Sequence, residues 1–200
     1  MATTNRAHAP GRPRSEQARR AVLSATRALF EEGGYAATTI EAIAARSGVA
    51  KTTIYRWWPN RPALVVDLLL QVAATAAPPP TTGSDPVRAL RTELHRVARA
   101  GEALPGRLLL SLLSEAQQDA EVRNALSKGL FNPRRRATAQ VIRQAQASGA
   151  LRKDVSPLIA VDMLFGPLFY RMLLRQERVS EEYVRQVFEN AMAGLRRRRM

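Results

Sequence analysis

Between Lys51 and Arg61 the chain reads KTTIYRWWPNR. Lys51, Thr52, Thr53, Tyr55, Arg56, Trp57 and Arg61 supply two cations near the start and middle, two hydroxyls, a phenol, an indole and a third cation. Such a set donates to phosphate oxygens and to base edges. Catalytic chemistry has far less to work with. The chain has no cysteine, which excludes a thiolate nucleophile, a disulfide framework and a thiolate metal site. Its two histidines, His8 and His95, are far apart in sequence and support neither a metal centre nor a triad. No glycine-rich phosphate loop and no carboxylate pair at a supporting spacing is present. No catalytic residue, metal ligand or cofactor is therefore assigned, and an enzyme built on a helical bundle is set aside.

The elements that must present these side chains are two short helices joined by a tight turn. Thr38 and Glu41 form an [ST]-x-x-[DE] capping box, so a helix is expected to start at Thr38 or Thr39. Ile40, Ile43 and Ala44 fall on one face of it. Gly48 supplies the positive φ of a sharp turn. A second helix is expected from about Ala50 to Trp57, stopped ahead of Pro59. Ile54 and Trp58, with Val49 beneath, are its buried face, which leaves the polar set outside. This is helix-turn-helix spacing, whose second helix enters a major groove. A solvated αα-hairpin on a helical bundle would share the bare pattern.

The run from Ile40 to Leu64 is more specific than the bare pattern. Ile40, Ile43, Ala44, Ser47, Gly48, Val49, Lys51, Thr53, Ile54, Tyr55, Trp58, Pro59, Arg61 and Leu64 closely resemble the DNA-binding domain of the TetR/AcrR family of bacterial repressors. The resemblance implies an all-α protein, with an N-terminal three-helix helix-turn-helix domain and a C-terminal helical domain that binds a ligand and dimerises. It implies that Thr39, Thr53, Trp57 and Arg61 hold phosphates, while Lys51, Thr52, Tyr55 and Arg56 face bases or nearby phosphates. Two departures stand out. Ala50 replaces a frequent capping serine, and Thr52 replaces a frequent glycine, so a side chain stands where the backbone would otherwise approach DNA.

Residues 1–14 lack periodicity and are expected to form a disordered basic arm. Within it, Gly11-Arg12-Pro13-Arg14 resembles the core of an AT-hook, which would slip Arg12 into a narrow minor groove; the alternative is a solvated basic tail. A first helix is expected over Ser15–Glu32, with Val22, Ala25, Leu29 and Phe30 inward and Gly33-Gly34 ending it. Asn60-Arg61-Pro62 opens a fourth helix to about Ala76, where Arg61 beside the helix N-terminus suits a phosphate or is merely solvated. Pro78 to Pro86 is the clearest linker. The expected organisation is an arm over 1–14, a DNA-binding domain over 15–76 and an effector-binding and dimerisation domain over 77–200.

Beyond the linker every segment reads as helical. Val87, Leu90, Leu94 and Val97 form one stripe, and Leu108 to Leu113 is apolar nearly all round. Asp119–Ser148 is long and amphipathic, interrupted at Asn132-Pro133. Asp154 or Ser156 caps a helix over Pro157–Gln176, and a last helix spans Ser180–Leu195. The helices at 157–176 and 180–195 are apolar on more than one face, as a fully buried core helix or a subunit contact would be. The family resemblance implies the second, a four-helix bundle in a homodimer, with Leu168, Phe169, Met172, Tyr183, Val187 and Phe188 as candidate contacts. The same resemblance implies a cavity for a small-molecule effector. Candidate lining residues are Leu109, Leu112, Leu113, Phe131, Met163 and Phe165, with Glu115, Gln117, Gln144 and Asp162 as polar contacts.

Two hundred residues with 46% hydrophobic content suffice for one large or two small cores. A net charge of +14 fits a polyanionic partner, double-stranded DNA. All but three of the 31 basic residues are arginine, so genome composition explains part of the excess. Residues 1–61 carry 10 basic and 4 acidic side chains, the remainder 21 and 13, so charge is denser at the N-terminal end. No apolar run reaches the length of a membrane span and no signal peptide is evident; a cytoplasmic protein with no membrane partner, nucleoid-associated when on DNA, is expected. An architectural DNA-binding protein is the rival reading, favoured by the basic arm and by the terminal Arg196–Arg199 run.

Overall fold

The computed structural model describes residues 12–81 and 83–196, without the side chains of 12–15. Every regular element among them is helical, and an isolated bridge joins Leu151 to Arg196. The chain divides into two compact units at Leu64–Val65.

In the first unit α1 spans Arg12–Ala37, with its helical course broken at Gly33 (φ −140°) and Gly34 (φ 66°). It starts three residues ahead of the expected Ser15, since a proline in the first turn forfeits an N–H that has no intrahelical partner anyway. The backbone of Arg12–Arg14 is therefore helical, whereas an AT-hook needs an extended segment; residues 1–11 and the Arg12 side chain lie outside the description. Val22, Leu23, Ala25, Thr26, Leu29 and Phe30 form the buried face of α1. The Thr26 hydroxyl is satisfied by donating to the Val22 carbonyl at 2.8 Å.

α2 spans Ile40–Ser47 and α3 spans Lys51–Trp57. The cap of α2 is Thr39, whose Oγ1 accepts from the Ala42 N–H at 3.1 Å. Thr38 instead donates its hydroxyl to the Tyr35 carbonyl at 2.6 Å. The cap is thus Thr39 rather than Thr38, and with Ala42 at the third helical position the expected Thr38–Glu41 capping box does not form. With Thr39 as cap, Ile40 becomes the first helical residue and is buried together with Ile43.

The second unit takes in most of α4, Arg61–Ala76, which crosses the boundary as one unbroken helix. The break in regular structure after Ala76 is where the linker was expected, but the compact units part earlier. From Val65 onward the apolar side of α4 packs with the second unit: Leu69 and Ala73 line a cavity there, and Leu70 lies against Gly129. Then come α5 (Pro86–Glu102), α6 (Leu104–Ala116), α7 (Ala120–Leu126), α8 (Asn132–Ala147), α9 (Pro157–Phe169) and α10 (Glu181–Leu195). α5, α7 and α10 are capped by the side chains of Asp85, Asp119 and Ser180. π-helical turns at Ser127–Phe131 and Tyr170–Arg175 precede α8 and follow α9. Each lies within a few residues of a proline, Pro133 or Pro167, which cannot donate to the i−4 carbonyl and crowds it.

The core of this unit interleaves α5, α8, α9 and α10 through Leu90, Leu94, Ile142, Leu164, Leu168, Phe188 and Met192. Leu168 and Phe188 are 0% and 2% exposed, which removes them from the set of candidate subunit contacts. Phe169 packs edge-on against Phe131 with ring centroids 6.3 Å apart, and the Tyr183 hydroxyl donates to the Pro167 carbonyl at 3.3 Å. What α9 and its π turn leave exposed is a different face: Leu158, Ile159, Met163, Tyr170 and Leu174. The continuous helix Pro157–Arg175 is, by length and composition, apolar enough to cross a membrane, with 28% of it buried. It does not stand out as an unbroken apolar run, because Asp162 and Arg171 interrupt the letters without making the helix polar overall.

The α5–α6 turn depends on backbone contact. A Cβ on Gly106 would run into the backbone of Gly101, its carbonyl oxygen first. Gly106→Ala is therefore expected to cost about 1–3 kcal/mol in denaturant unfolding, the range for overpacking. Gly83→Ala, where a Cβ meets nothing, is expected to change stability by less than about 0.5 kcal/mol. Equal stability of the two variants would contradict the close α5–α6 approach.

Candidate DNA-binding surface and ligand cavity

A seven-residue helix such as α3 has too few backbone hydrogen bonds to persist alone, so packing must hold it. Ile54, fully buried, and Trp58, 4% exposed, provide that packing. Gly48, at φ 67° and ψ 15°, closes α2 with its N–H on the Ala44 carbonyl and makes the sharp turn into α3. Val49 donates its N–H to Ser47 Oγ at 3.3 Å across that turn. No side chain caps α3, in keeping with Ala50 at its N-cap.

The consequence is a ridge of exposed Lys51, Thr52, Tyr55 and Arg56, with Thr53 and Trp57 half-buried at its flank. Tyr55 is 49% exposed, a large aromatic with its phenol in solvent. Thr39 uses its oxygen as a helix cap and keeps its hydroxyl proton for a further acceptor. The Arg61 guanidinium carbon lies 4.1 Å from the centroid of the Tyr35 ring, a cation–π contact that holds this cation beside α1. Lys51 donates to Glu41 Oε1 at 2.6 Å, and this bond, with the lysine charge, holds the Glu41 carboxyl below its usual range. A polyanion at α3 must compete with Glu41 for that ammonium. The structure brings Thr39, Lys51, Thr52, Thr53, Tyr55, Arg56, Trp57 and Arg61 together in the first unit; Arg12 has no described side chain.

The second unit contains a cavity of about 80 Å³. Leu69, Ala73 and Ala77 from α4 and the residue after it, Val97 and Gly101 from α5, Leu109 from α6, Leu130 and Phe131 from the first π turn, Phe169 from the end of α9 and Met172 from the second π turn line it. Of the expected lining residues, Leu109 and Phe131 are present. Leu112 and Phe165 are instead core side chains, and Met163 is exposed on the outer face of α9. Asp162 pairs with Arg135 at 2.6 Å, and Gln144 donates to the Gly83 carbonyl at 2.7 Å. Leu113, Glu115 and Gln117 are not among the lining residues. Phe169 and Met172, expected at a subunit contact, line the cavity.

The one charged side chain lining the cavity has no counterpart among the expected residues. Arg134, from the first turn of α8, donates to the carbonyls of Ala73 and Ala77, and to Glu93 Oε1 at 3.4 Å. Glu93 is 2% exposed, and its Oε2 is buried with no hydrogen-bond partner. Burial raises the Glu93 carboxyl from 4.5 to about 7, against the opposing pull of Arg134 and Arg96. Burial likewise lowers Arg134 from the usual arginine value. One signal was available in the sequence: Glu93 sits three residues after Leu90 and next to Leu94, on the stripe assigned to the core. Among the described residues, no group of three or more His, Asp or Glu side chains is placed to hold a metal ion.

Both units match known domain families. Residues 22–68 match the domain family described as bacterial regulatory proteins, tetR family, and residues 79–191 match the tetracyclin repressor-like C-terminal domain. This chain belongs to the TetR family of transcriptional regulators. It is 34% identical over 185 residues to YdeS of Bacillus subtilis (strain 168), an HTH-type transcriptional regulator, covering 92% of this chain and 93% of that protein. It is 32% identical over 109 residues, 52% of this chain and 48% of the other, to the HTH-type transcriptional repressor KstR of Rhodococcus jostii (strain RHA1). The crystal structure of the TetR family transcription regulator SCO0332 superposes with a TM-score of 0.75 at 31% identity, covering 89% of this chain and 98% of that one. The protein is therefore a DNA-binding transcriptional regulator of all-α fold and not an enzyme.

Glu93 makes stability depend on pH. Its carboxyl holds a proton more tightly in the folded chain than in the unfolded one. Folding stability therefore falls as pH rises from 4.5 towards about 7, by up to about 3 kcal/mol. Glu93→Gln removes that dependence. The stability difference between Glu93→Gln and wild type is expected to shift in favour of the variant between pH 5 and pH 8. Parallel pH profiles would contradict the burial of an ionisable Glu93.

Proposed function

We propose that this regulator is a homodimeric repressor that binds a palindromic operator through α3 and is released by a small molecule in the second unit. It would act in the cytoplasm, on nucleoid DNA. The observation that carries the DNA half is the exposed Lys51-Thr52-Tyr55-Arg56 ridge on a helix anchored by Ile54 and Trp58. One such ridge reads few base pairs. Two held about 34–36 Å apart by a two-fold axis read a palindrome one turn of DNA long. Thr39, Thr53, Trp57 and Arg61 would grip phosphates and fix the register; Lys51, Thr52, Tyr55 and Arg56 would meet bases or the phosphates beside them. The basic arm with Arg12 would add phosphate contacts.

Dimerisation is supported by the exposed apolar face of Pro157–Arg175, in particular Ile159 at 54% and Tyr170 at 54% exposure, with Leu158 and Met163 beside them. Gly166 shares this exposed side and a Cβ there would meet nothing, so a partner helix could approach closely. Such a face is costly to leave in water and suits a second copy of itself across a two-fold axis. The effector would occupy the cavity beside Leu109, Phe131, Phe169 and Arg134. α4 contributes to its wall and is continuous with the residues after α3, which makes α4 the route by which occupancy alters DNA affinity. Release requires the effector to prefer an arrangement that is not competent for DNA, with coupling of ~1–3 kcal/mol typical.

Light scattering tests the assembly. Wild type is expected to be a dimer at micromolar concentration and Ile159→Glu/Met163→Glu a folded monomer; a wild-type monomer would sink the dimer reading. Fluorescence anisotropy on duplexes from the intergenic regions flanking the gene tests recognition. Tyr55→Ala and Arg56→Ala are each expected to lose ~1–3 kcal/mol on the preferred duplex, with unchanged melting temperature. A large drop in melting temperature would mean that the residue supports the fold rather than reads DNA.

A further inference from the structure

We infer that the ligand of the cavity is an apolar molecule carrying a single carboxylate, whose head pairs with the Arg134 guanidinium while its tail lies among Leu69, Val97, Leu109, Phe131 and Met172. The inference rests on the effector reading of this cavity and names its chemical class. Apart from Arg134 the lining is hydrocarbon, so a ligand with several polar groups would bury them unpaired, at a cost of ~1–3 kcal/mol each. A wholly apolar ligand would leave the guanidinium without a new partner. A carboxylate matches the fork of N–H donors that arginine presents.

The present partners of Arg134 leave room for an exchange. It reaches Glu93 at 3.4 Å, longer than a charge-assisted bond normally is, and Glu93 Oε2 has no partner at all. The charged groups bearing on Glu93 are Arg134 from α8 and Arg96 from its own helix, both cationic. When a second carboxylate arrives at Arg134, a further negative charge enters a buried place beside Glu93 and draws on the cation that faces it. Glu93 is the one able to accept a proton near neutrality, so ligand binding takes up a proton there. The head also competes with the Ala73 and Ala77 carbonyls for the same guanidinium, and those carbonyls close the C-terminal end of α4. The chemistry of the head is thereby tied to the helix that leads to the DNA-binding unit.

Size sets the choice of probes. A cavity of about 80 Å³ holds roughly five to eight water-sized groups, at ~10–15 Å³ each. Met172 fills the space beside Gly101 and also borders an outer cleft that continues past Leu110 and Leu173, so a longer tail has somewhere to go. Straight-chain carboxylates of six to twelve carbons and the matching alcohols therefore span the range. Both keep their charge state between pH 6 and pH 8.

Calorimetric titration of the full chain with octanoate and octanol, extended through the chain-length series, decides the matter. Octanoate is expected to bind at least about tenfold more tightly than octanol at pH 6. Its affinity is expected to fall about tenfold between pH 6 and pH 8 as Glu93 loses its proton, while octanol stays level. Glu93→Gln should abolish that pH dependence and keep tight octanoate binding at pH 8; Arg134→Met should bring octanoate down to the level of octanol. Should Arg134→Met fail to fold, the wild-type comparison and Glu93→Gln still decide. Octanol binding as tightly as octanoate would overturn the carboxylate while leaving the cavity as a ligand site. Binding of no member of either series would overturn the cavity reading and this inference together.

Discussion

The seating of α3 by Ile54 and Trp58 is the constraint on which the regulator depends. A helix of seven residues cannot form a lasting recognition surface by its own hydrogen bonds. Its direction is set by two buried side chains at one end and by the left-handed Gly48 at the other. Once those are fixed, the polar residues have no choice of face: Lys51, Thr52, Tyr55 and Arg56 point to solvent because Ile54 and Trp58 point inward. α1 packs against α2, and the ion pair between Arg46 and Glu32 at 2.7 Å ties α2 to the end of α1. That pair is exposed and contributes little to stability; its effect is to fix orientation.

The second unit solves a different problem, how to keep a cavity inside an apolar bundle. Prolines do this in two places. Pro133 and Pro167 each interrupt the i→i−4 ladder near a π turn, and Phe131 at the end of one turn meets Phe169 just ahead of the other to wall the same space. Gly106 allows α6 to lie against the end of α5, so the opposite wall is close as well. The buried Glu93–Arg134 pair costs desolvation on both sides, which a purely structural core would avoid by using hydrocarbon. Its Arg134 member lines the cavity.

The exposed ridge on α3 was legible in the sequence because every signal for it is local. A cap, a glycine turn, a stop before proline and two apolar anchors fall within 25 residues, and each acts on its immediate neighbours. The cap lies one residue from its expected place because Thr38 and Thr39 are chemically alike, and their different hydrogen bonds, to Tyr35 and from Ala42, appear only in the folded chain. The apolar helix at 157–175 was legible as a helix but not in its orientation. Leu168 and Phe169 read alike in the letters, yet one lies in the core and the other at the cavity, because a helix apolar on all sides does not encode which side faces in. The Glu93–Arg134 pair joins residues 41 apart, and no local pattern predicts which of many arginines a buried glutamate will meet.

In the proposed function, two copies of α3 related by a two-fold axis read one DNA site. Selection of binding sites from random-sequence duplex DNA by the purified full-length protein tests it most directly. The predicted result is an enriched inverted repeat whose half-site centres lie about one helical turn, roughly 10 base pairs, apart. A single unrepeated half-site, a direct repeat, or no enrichment over the starting pool would contradict it.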